Sequence, residues 1–205
     1  MIDIRVATGH DLPRIAEITR RAYQEFAPTL GAVYPHYLAD LLDVTSRLGA
    51  GAVLVAVADG EVVGTATLFP EAAASGFGWP RGGAAVRAVA VDPEARGLGA
   101  GSALLRACIE RAMRAGRDEL CLHTAEFMTA AVALYEAHGF RRDPAHDFDG
   151  AEHSGIDGVD PVPVLAYRLR LAAGRPAGVR RVPAQAPWPI RRVGARITMP
   201  AWVPA

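Results

Sequence analysis

The feature that most limits what this chain can become is a long apolar stretch that runs into a glycine-rich turn and then into an amphipathic segment. Ala84–Val91 reads AAVRAVAV, apolar except for Arg87, as expected of a central strand buried on both faces. It is followed by Asp92-Pro93-Glu94-Ala95-Arg96-Gly97-Leu98-Gly99-Ala100-Gly101, and then by Leu104, Leu105, Cys108, Ile109, Ala112 and Met113, an apolar stripe at helical spacing. A strand, tight turn and helix in this order aim several backbone N–H groups and the positive end of the helix dipole at one spot in front of the helix. Each such interaction stabilises an anion by roughly 0.3 to 1 kcal/mol, so several together hold a pyrophosphate. Glycine at 97, 99 and 101 removes the side chains that would stand in its way. A tight turn with no ligand is the plainer alternative.

Composition narrows the choice of phosphate ligand. All 22 basic residues are Arg, and the chain has neither Lys nor Asn, a mark of GC-rich, bacterial coding bias. A P-loop and a Schiff-base lysine are therefore excluded. A dinucleotide fingerprint would need glycine where Ser102 stands and an acid closing the next strand, whereas Asp118 and Glu119 precede it. Balanced charge, 22 acids against 22 Arg, removes the general case for nucleic acid or a membrane surface as partner. No apolar run nears the ~18 residues that cross a bilayer, and no signal-peptide pattern opens the chain, so a soluble cytoplasmic protein is expected. Cys108 and Cys121 fall in apolar periodic segments and read as reduced core thiols.

The other elements follow from periodicity. Residues 2–7 read as a strand, and 11–26 as a helix with Asp11 at its N-cap and Pro13 in its first turn. A second helix is expected over 35–48. Ala52–Ala58 and Glu61–Phe69 are strands joined by Asp59-Gly60, a dipeptide suited to a two-residue hairpin turn. A loop covers 70–83, a strand 119–124, a helix 129–138 closed by Gly139, a loop 143–160 and a last strand 162–171. The tail is distinct: 172–205 holds six Pro, six Arg and no acid, whereas 1–171 holds 16 Arg and 22 acids. We expect one domain over 1–171 and a Pro/Arg-rich extended tail, either mobile or docked on the body or on a second protomer in a homodimer.

Two blocks resemble the GNAT superfamily of N-acetyltransferases. Arg96-Gly97-Leu98-Gly99-Ala100-Gly101 fits that family's Arg/Gln-x-x-Gly-x-Gly/Ala after a central strand. Its second signature, Asn-x-x-Ala-x-x-Leu-Tyr-x-x-x-Gly-Phe, is met by Met128, Ala131, Leu134, Tyr135, Gly139 and Phe140, with Met128 replacing Asn. The resemblance covers about 165 residues. It implies an α/β (α+β) fold with a mixed, mostly antiparallel central sheet flanked by helices, two of whose strands splay at a bulge to admit an acyl group. It also implies acetyl-CoA as co-substrate and no metal. The backbone of Val89, Ala90 and Val91 would bind the pantetheine arm as an added strand. The residues Arg96, Gly97, Leu98, Gly99, Ala100, Gly101 and Ser102 would hold the pyrophosphate, with Met128 at the place of a contacting amide.

Acyl transfer from a thioester to an amine needs a neutral nucleophile and a proton for the leaving thiolate. A lysine-like amine of pKa about 10.4 is neutral in only about one part in 2,500 at pH 7, so the need for a base depends on the acceptor. Tyr135 falls where the family keeps the hydroxyl that protonates the CoA sulfur; packing alone is the other reading. Many relatives carry a Glu about four residues before the Val89 position, where this chain has Ala85, with Arg87 nearby. Glu126 and His123 are the candidate bases left, alongside a water chain. Tyr23, Tyr34, His36, Tyr37, Phe77 and Trp79 make an aromatic rim for the acceptor, or simply core. The segment containing Asp143, His146, Asp147, Asp149, Glu152 and His153 reads as a solvated acidic loop, with a cationic amine or a metal as the sharper alternative.

The expected reaction is acetyl transfer to a primary amine of a small molecule or peptide by direct attack in a ternary complex. A non-catalytic acyl-CoA-binding module, and a protein acetyltransferase guided by the basic tail, remain the alternatives.

Overall fold

The computed structural model of the chain describes residues 1–171. The expectations of an extended tail, its docking and a dimer made through it concern 172–205 and lie outside the described residues.

Strand β1 (Ile2–Val6) leads into α1 (Leu12–Tyr23), a short turn of helix α2 (Ala27–Leu30), then α3 (Tyr34–Leu42) and α4 (Val44–Ala50). The hairpin β2 (Ala52–Ala58) and β3 (Glu61–Phe69) follows, then β4 (Ala84–Val91), α5 (Ala100–Arg114), β5 (Glu119–Ala125) and α6 (Thr129–Ala137). The chain closes with β6 (Arg141–Arg142), β7 (Phe148–Asp149), α7 (Gly150–His153) and β8 (Pro163–Arg170). One sheet runs in the order β1-β2-β3-β4-β5-β8-β6, with β7 also on β8. Every pairing is antiparallel except β4 with β5, as a mixed, mostly antiparallel sheet requires.

Alternation along the strands assigns the two faces. Leu54, Ala56, Ala84, Val86, Leu120 and Leu122 turn to α5, whose Leu104, Leu105 and Cys108 are buried against them. Each large apolar side chain so placed contributes about 1.5 to 3 kcal/mol. Val53 and Val55 turn to the other face and pack under Ile15 and Ile18 of α1. Further along that face Ala85 and Cys121 lie beneath Trp79 and Phe69. Asp59 and Gly60 take φ of 50° and 85°, the two positive values a tight hairpin turn demands.

Three local expectations need correction. The helix over 35–48 is two, because Asp43 leaves helical geometry (ψ 66°) and its Oδ1 caps α4 by accepting the Ser46 N–H at 3.1 Å. Asp11 does not cap α1 with its side chain. Its carboxylate instead accepts two bonds from Arg5 (2.7 and 2.8 Å) and the Thr8 N–H at 2.7 Å. Within 143–160 the chain is not a plain loop, since β7 and α7 form there. Among the described residues no helix is long and apolar enough to cross a membrane.

Candidate active site

The parallel pairing of β4 with β5 lasts only three residues, Ala84–Leu120, Ala85–Cys121 and Val86–Leu122. Beyond Val86 the two strands part. Ala88 takes φ +51°, and the β3/β4 register slips between Thr65 and Thr67, which together make a bulge. A left-handed alanine costs on the order of 1 to 2 kcal/mol, so the bulge is held by its surroundings. The expectation that β4 is buried on both faces therefore holds for its first half only: Arg87, Ala88 and Val89 are half-buried, because β5 no longer covers them.

Main-chain directions alternate along a strand. The Asp92 N–H bonds to the Val63 carbonyl at 2.9 Å, which turns Ala90 toward its partner Thr65 on β3. Ala90 thus has no main-chain group for a ligand, a correction to the expected Val89–Ala90–Val91 contact. Val89 and Val91 face the opening. The Tyr23 hydroxyl already donates to the Val89 carbonyl at 2.9 Å, leaving that oxygen one lone pair.

In front of α5, Gly97 and Gly99 lie at φ 82° and 85°, where only glycine is unstrained, and a Cβ built on either meets no atom within 4 Å. Gly101 differs: its Cβ would fall 3.3 Å from Leu134 of α6, so it lets two helices approach. Among the described residues the amides of Gly97, Gly99, Ala100, Gly101 and Ser102 have no acceptor, while those of Arg96 and Leu98 bond back to Pro93 and Ala95 at 3.4 Å. The free donors are thus five of the seven positions named for the pyrophosphate. The Arg96 guanidinium pairs with Glu25. Ser102 Oγ lies 3.0 Å from His138 Nε2 and accepts from Arg106 at 3.3 Å, which adds an exposed cation beside the amides. Buried Asp92 anchors the loop to α1 through Arg14 (2.6 Å) and Arg21 (3.1 Å).

Tyr135, on α6, is buried in the core on the α5 side, and burial holds its hydroxyl well above the usual phenol range. It therefore keeps its proton at neutral pH. Met128 heads α6, but its thioether is buried among Ala90, Ala125 and residues of α1, and accepts from Thr124 Oγ1 at 3.8 Å. Its side chain is a packing element, contrary to the expected cofactor contact. Glu126 is exposed past the end of β5, where it lines a cavity of about 320 Å³ with Phe127 and Pro163. Nothing joins it to Tyr135 among the described hydrogen bonds.

His123 and Arg87 occupy the first positions past the last β4–β5 pair, one on each strand. Both share the parity of Cys121 and Ala85 and so project on the face away from α5. Tyr135 packs in the core on the α5 side, and no hydrogen bond joins it to His123 among the described residues. The His123 ring lies beside Trp79 (4.6 Å between centroids), Phe148 (5.0 Å) and Phe77 (5.3 Å). Its Nε2 is 3.0 Å from the His146 carbonyl, which fixes the proton on Nε2, and Nδ1 is buried without a partner among the described residues. Burial pushes its pKa down to about 4. Arg87 stacks over Phe77 at 4.0 Å and donates to Ser75 O (2.5 Å) and Asp40 Oδ2 (2.6 Å). Tyr23 and Tyr37 meet edge-to-face at 5.7 Å beside it, both phenols pushed up by burial, Tyr23 to about 12.

Trp79, expected on the acceptor rim, is buried between His123 and His146. The acidic segment is not a free solvated loop. Asp143 pairs with Arg168 (2.5 Å), Asp147 with Arg142 (2.7 Å), and Asp149 accepts the Ala151 and Val162 amides. Cys108 and Cys121 are buried, which pushes each thiol up to about 12 and leaves it unreactive.

A sheet whose one parallel pair parts at a bulge beside a helix of unpartnered N-terminal amides is the architecture of acyl-transferring enzymes. Residues 13–140 match the Acetyltransferase (GNAT) family, well over half of the chain, and the chain belongs to it. It is similar in fold to the PaiA N-acetyltransferase from Thermoplasma acidophilum in complex with coenzyme A, with a TM-score of 0.62 and 18% identity over 83% of this chain and 99% of that one. The ribosomal-protein-alanine N-acetyltransferase from Brucella melitensis is 26% identical, with a TM-score of 0.58 over 82% of this chain and 99% of that one. A mycothiol acetyltransferase from Thermobispora bispora is 47% identical over 57 residues, 28% of this chain; the match spans about a fifth (19%) of that relative's length.

Proposed function

We propose that the protein moves an acetyl group from acetyl-CoA to a primary amine of a small molecule or peptide, by direct attack within a ternary complex. One observation carries this reading: five free amides at the front of α5 stand beside a strand edge, Val89 and Val91, that β5 has left open. The amides suit the pyrophosphate and the open edge suits the pantetheine amides. The names of the relatives, mycothiol acetyltransferase and ribosomal-protein-alanine N-acetyltransferase, support acetyl as the group transferred and nitrogen as the acceptor. A cytoplasmic location goes with this co-substrate.

In the reaction the amine lone pair forms a bond to the thioester carbonyl carbon, the C–S bond breaks, and sulfur leaves as thiolate. The Tyr135 hydroxyl donates its proton to that sulfur, and one of the two protons on the attacking nitrogen is lost to solvent, which restores the hydroxyl and leaves a secondary amide. Neutral His123 accepts a hydrogen bond from the incoming amine at Nδ1 and so orients it; with a pKa near 4 it positions the nucleophile rather than storing its proton. Neither buried cysteine takes part.

The test is thiol release on incubation with acetyl-CoA and a panel of amines, together with calorimetric binding of CoA. Binding without thiol release for any amine would replace this reading with a regulatory CoA-binding module. Absence of binding would remove both.

A further inference from the structure

Among the described residues, the face of the split away from α5 carries the Arg87 guanidinium, the Tyr23 and Tyr37 hydroxyls and the unpartnered Nδ1 of His123. Asp40 is the carboxylate that meets Arg87, and its side chain is 52% exposed, whereas that of Arg87 is 14% exposed. The neighbouring cation, Arg47, is buried and donates to the Asp40 and Leu41 carbonyls and to Thr67 Oγ1.

Arg87 grips its carboxylate less fully than Arg5 and Arg142 grip theirs. Arg5 grips Asp11, and Arg142 grips Asp147, each through two parallel N–H···O bonds. Arg87 touches Asp40 through one nitrogen only, and its other terminal nitrogen goes to a main-chain carbonyl. A planar guanidinium favours a two-point grip on a carboxylate, and a single bond to an exposed acid is worth about 1 kcal/mol or less. An incoming carboxylate can therefore replace Asp40 at little cost and gain the second bond. The stack of Arg87 on Phe77 at 4.0 Å holds the fork at the mouth of the split, one residue before the bulge.

We infer that the acceptor is an amine that also carries a carboxylate, with Arg87 as the residue that selects it. This rests on the acyl-transfer reading and adds the substrate class to it. The amine of such a molecule would lie toward His123 Nδ1 across the apex, and its anionic end on the β4 side. A polyamine or other dication would meet the Arg87 cation, whose carboxylate partner Asp40 is already paired. Arg87 is a specificity residue here; it takes no part in bond making.

The probes are matched pairs, L-phenylalanine against 2-phenylethylamine and β-alanine against ethylamine, assayed with acetyl-CoA on the full chain. The carboxylated member of each pair should show a KM at least tenfold lower. Arg87→Gln should remove that preference while leaving the KM for acetyl-CoA unchanged. Asp40→Asn frees the fork and should lower the KM of the carboxylated member several-fold; a purely structural Arg87–Asp40 tie predicts no gain or a loss. Because Arg87→Gln also loses the bond to Ser75, Asp40→Asn keeps the inference testable even if that first variant folds poorly.

Equilibrium binding of N-acetyl-L-phenylalanine against N-acetyl-2-phenylethylamine, in the presence of CoA, needs no turnover. It should favour the acid by about tenfold in the wild type and by nothing in Arg87→Gln. Equal KM values within the pairs, no gain in Asp40→Asn, or no preference in product binding overturns the inference. Failure of CoA to bind, or of thiol to appear with any amine while the acid product still binds selectively, counts against the acyl-transfer reading instead.

Discussion

The two faces of the split are built from different materials. Toward α5 the groups that would meet a ligand are main-chain amides and one side chain, Tyr135; the amides are set by two left-handed glycines and by the geometry every helix shares at its first turn. On the other face they are side chains, Arg87, His123, Tyr23 and Tyr37, brought together from two strands and two helices. The main-chain face can serve any chain that needs the same coenzyme. The side-chain face can change its acceptor by single substitutions without touching the sheet. The fold itself is shared at 18% identity.

Breaking the α5 side at its chemical group should have the largest effect. Tyr135→Phe keeps the buried ring and removes the proton donor, so kcat should fall about a hundredfold with little change in KM for acetyl-CoA, read by thiol release at several pH values. Turnover equal to wild type across that range would take Tyr135 out of the mechanism.

The opposite face is sharpened by pH. The folded state holds His123 near 4, below its ordinary 6.5, so only the unfolded chain takes up its proton between those values. Its contribution is full above about pH 6.5 and is lost as pH falls toward 4, about 2 kcal/mol by pH 5. Denaturant melts at pH 7 and pH 5 should show that loss in the wild type and much less in His123→Phe. Asp11, depressed by its bond to Arg5, loses its contribution only below about pH 4 and falls outside this window. A flat wild-type profile between pH 7 and pH 5 would contradict the buried neutral imidazole.

Within β4 itself, Ala88→Gly should relieve a left-handed alanine and leave the melting temperature unchanged or slightly higher. Ala90→Gly, in regular pairing with Thr65, should cost about 1 kcal/mol. The same loss at both positions would mean that the bulge carries no strain. The smallest effect is expected from Tyr23→Phe, which frees the Val89 carbonyl: about 1 kcal/mol of stability and a few-fold change in KM for acetyl-CoA, seen by melts and kinetics.

The sequence showed the main-chain face well because its signals are local. Asp59-Gly60 announces a hairpin, and alternate glycines between an apolar run and an amphipathic stripe announce an anion site. What it hid depends on register or on neighbours. Nothing in an alanine marks Ala88 for a positive φ. That Arg87 and His123 end up side by side on one face follows from where the three β4–β5 pairs stop, which no periodicity reveals, although Arg87 stood out as the lone charge in an apolar run. Trp79 looked like a rim aromatic because its cover comes from distant His123 and His146. The acids at 143, 147 and 149 looked free because their partners, Arg168, Arg142 and two main-chain amides, are set by pairing with or near β8.

The central claim is that amides held in place by Gly97 and Gly99 grip the diphosphate of the coenzyme. A Cβ at Gly99 meets no protein atom within 4 Å, whereas a β-branched residue is strained at φ +85°, so Gly99→Val acts on the backbone that holds the amides. Titration of CoA into wild-type and Gly99→Val protein by calorimetry, with circular dichroism to verify the fold, is the most direct measurement. The account predicts affinity weaker by at least tenfold in the folded variant; equal affinity in the two would contradict it.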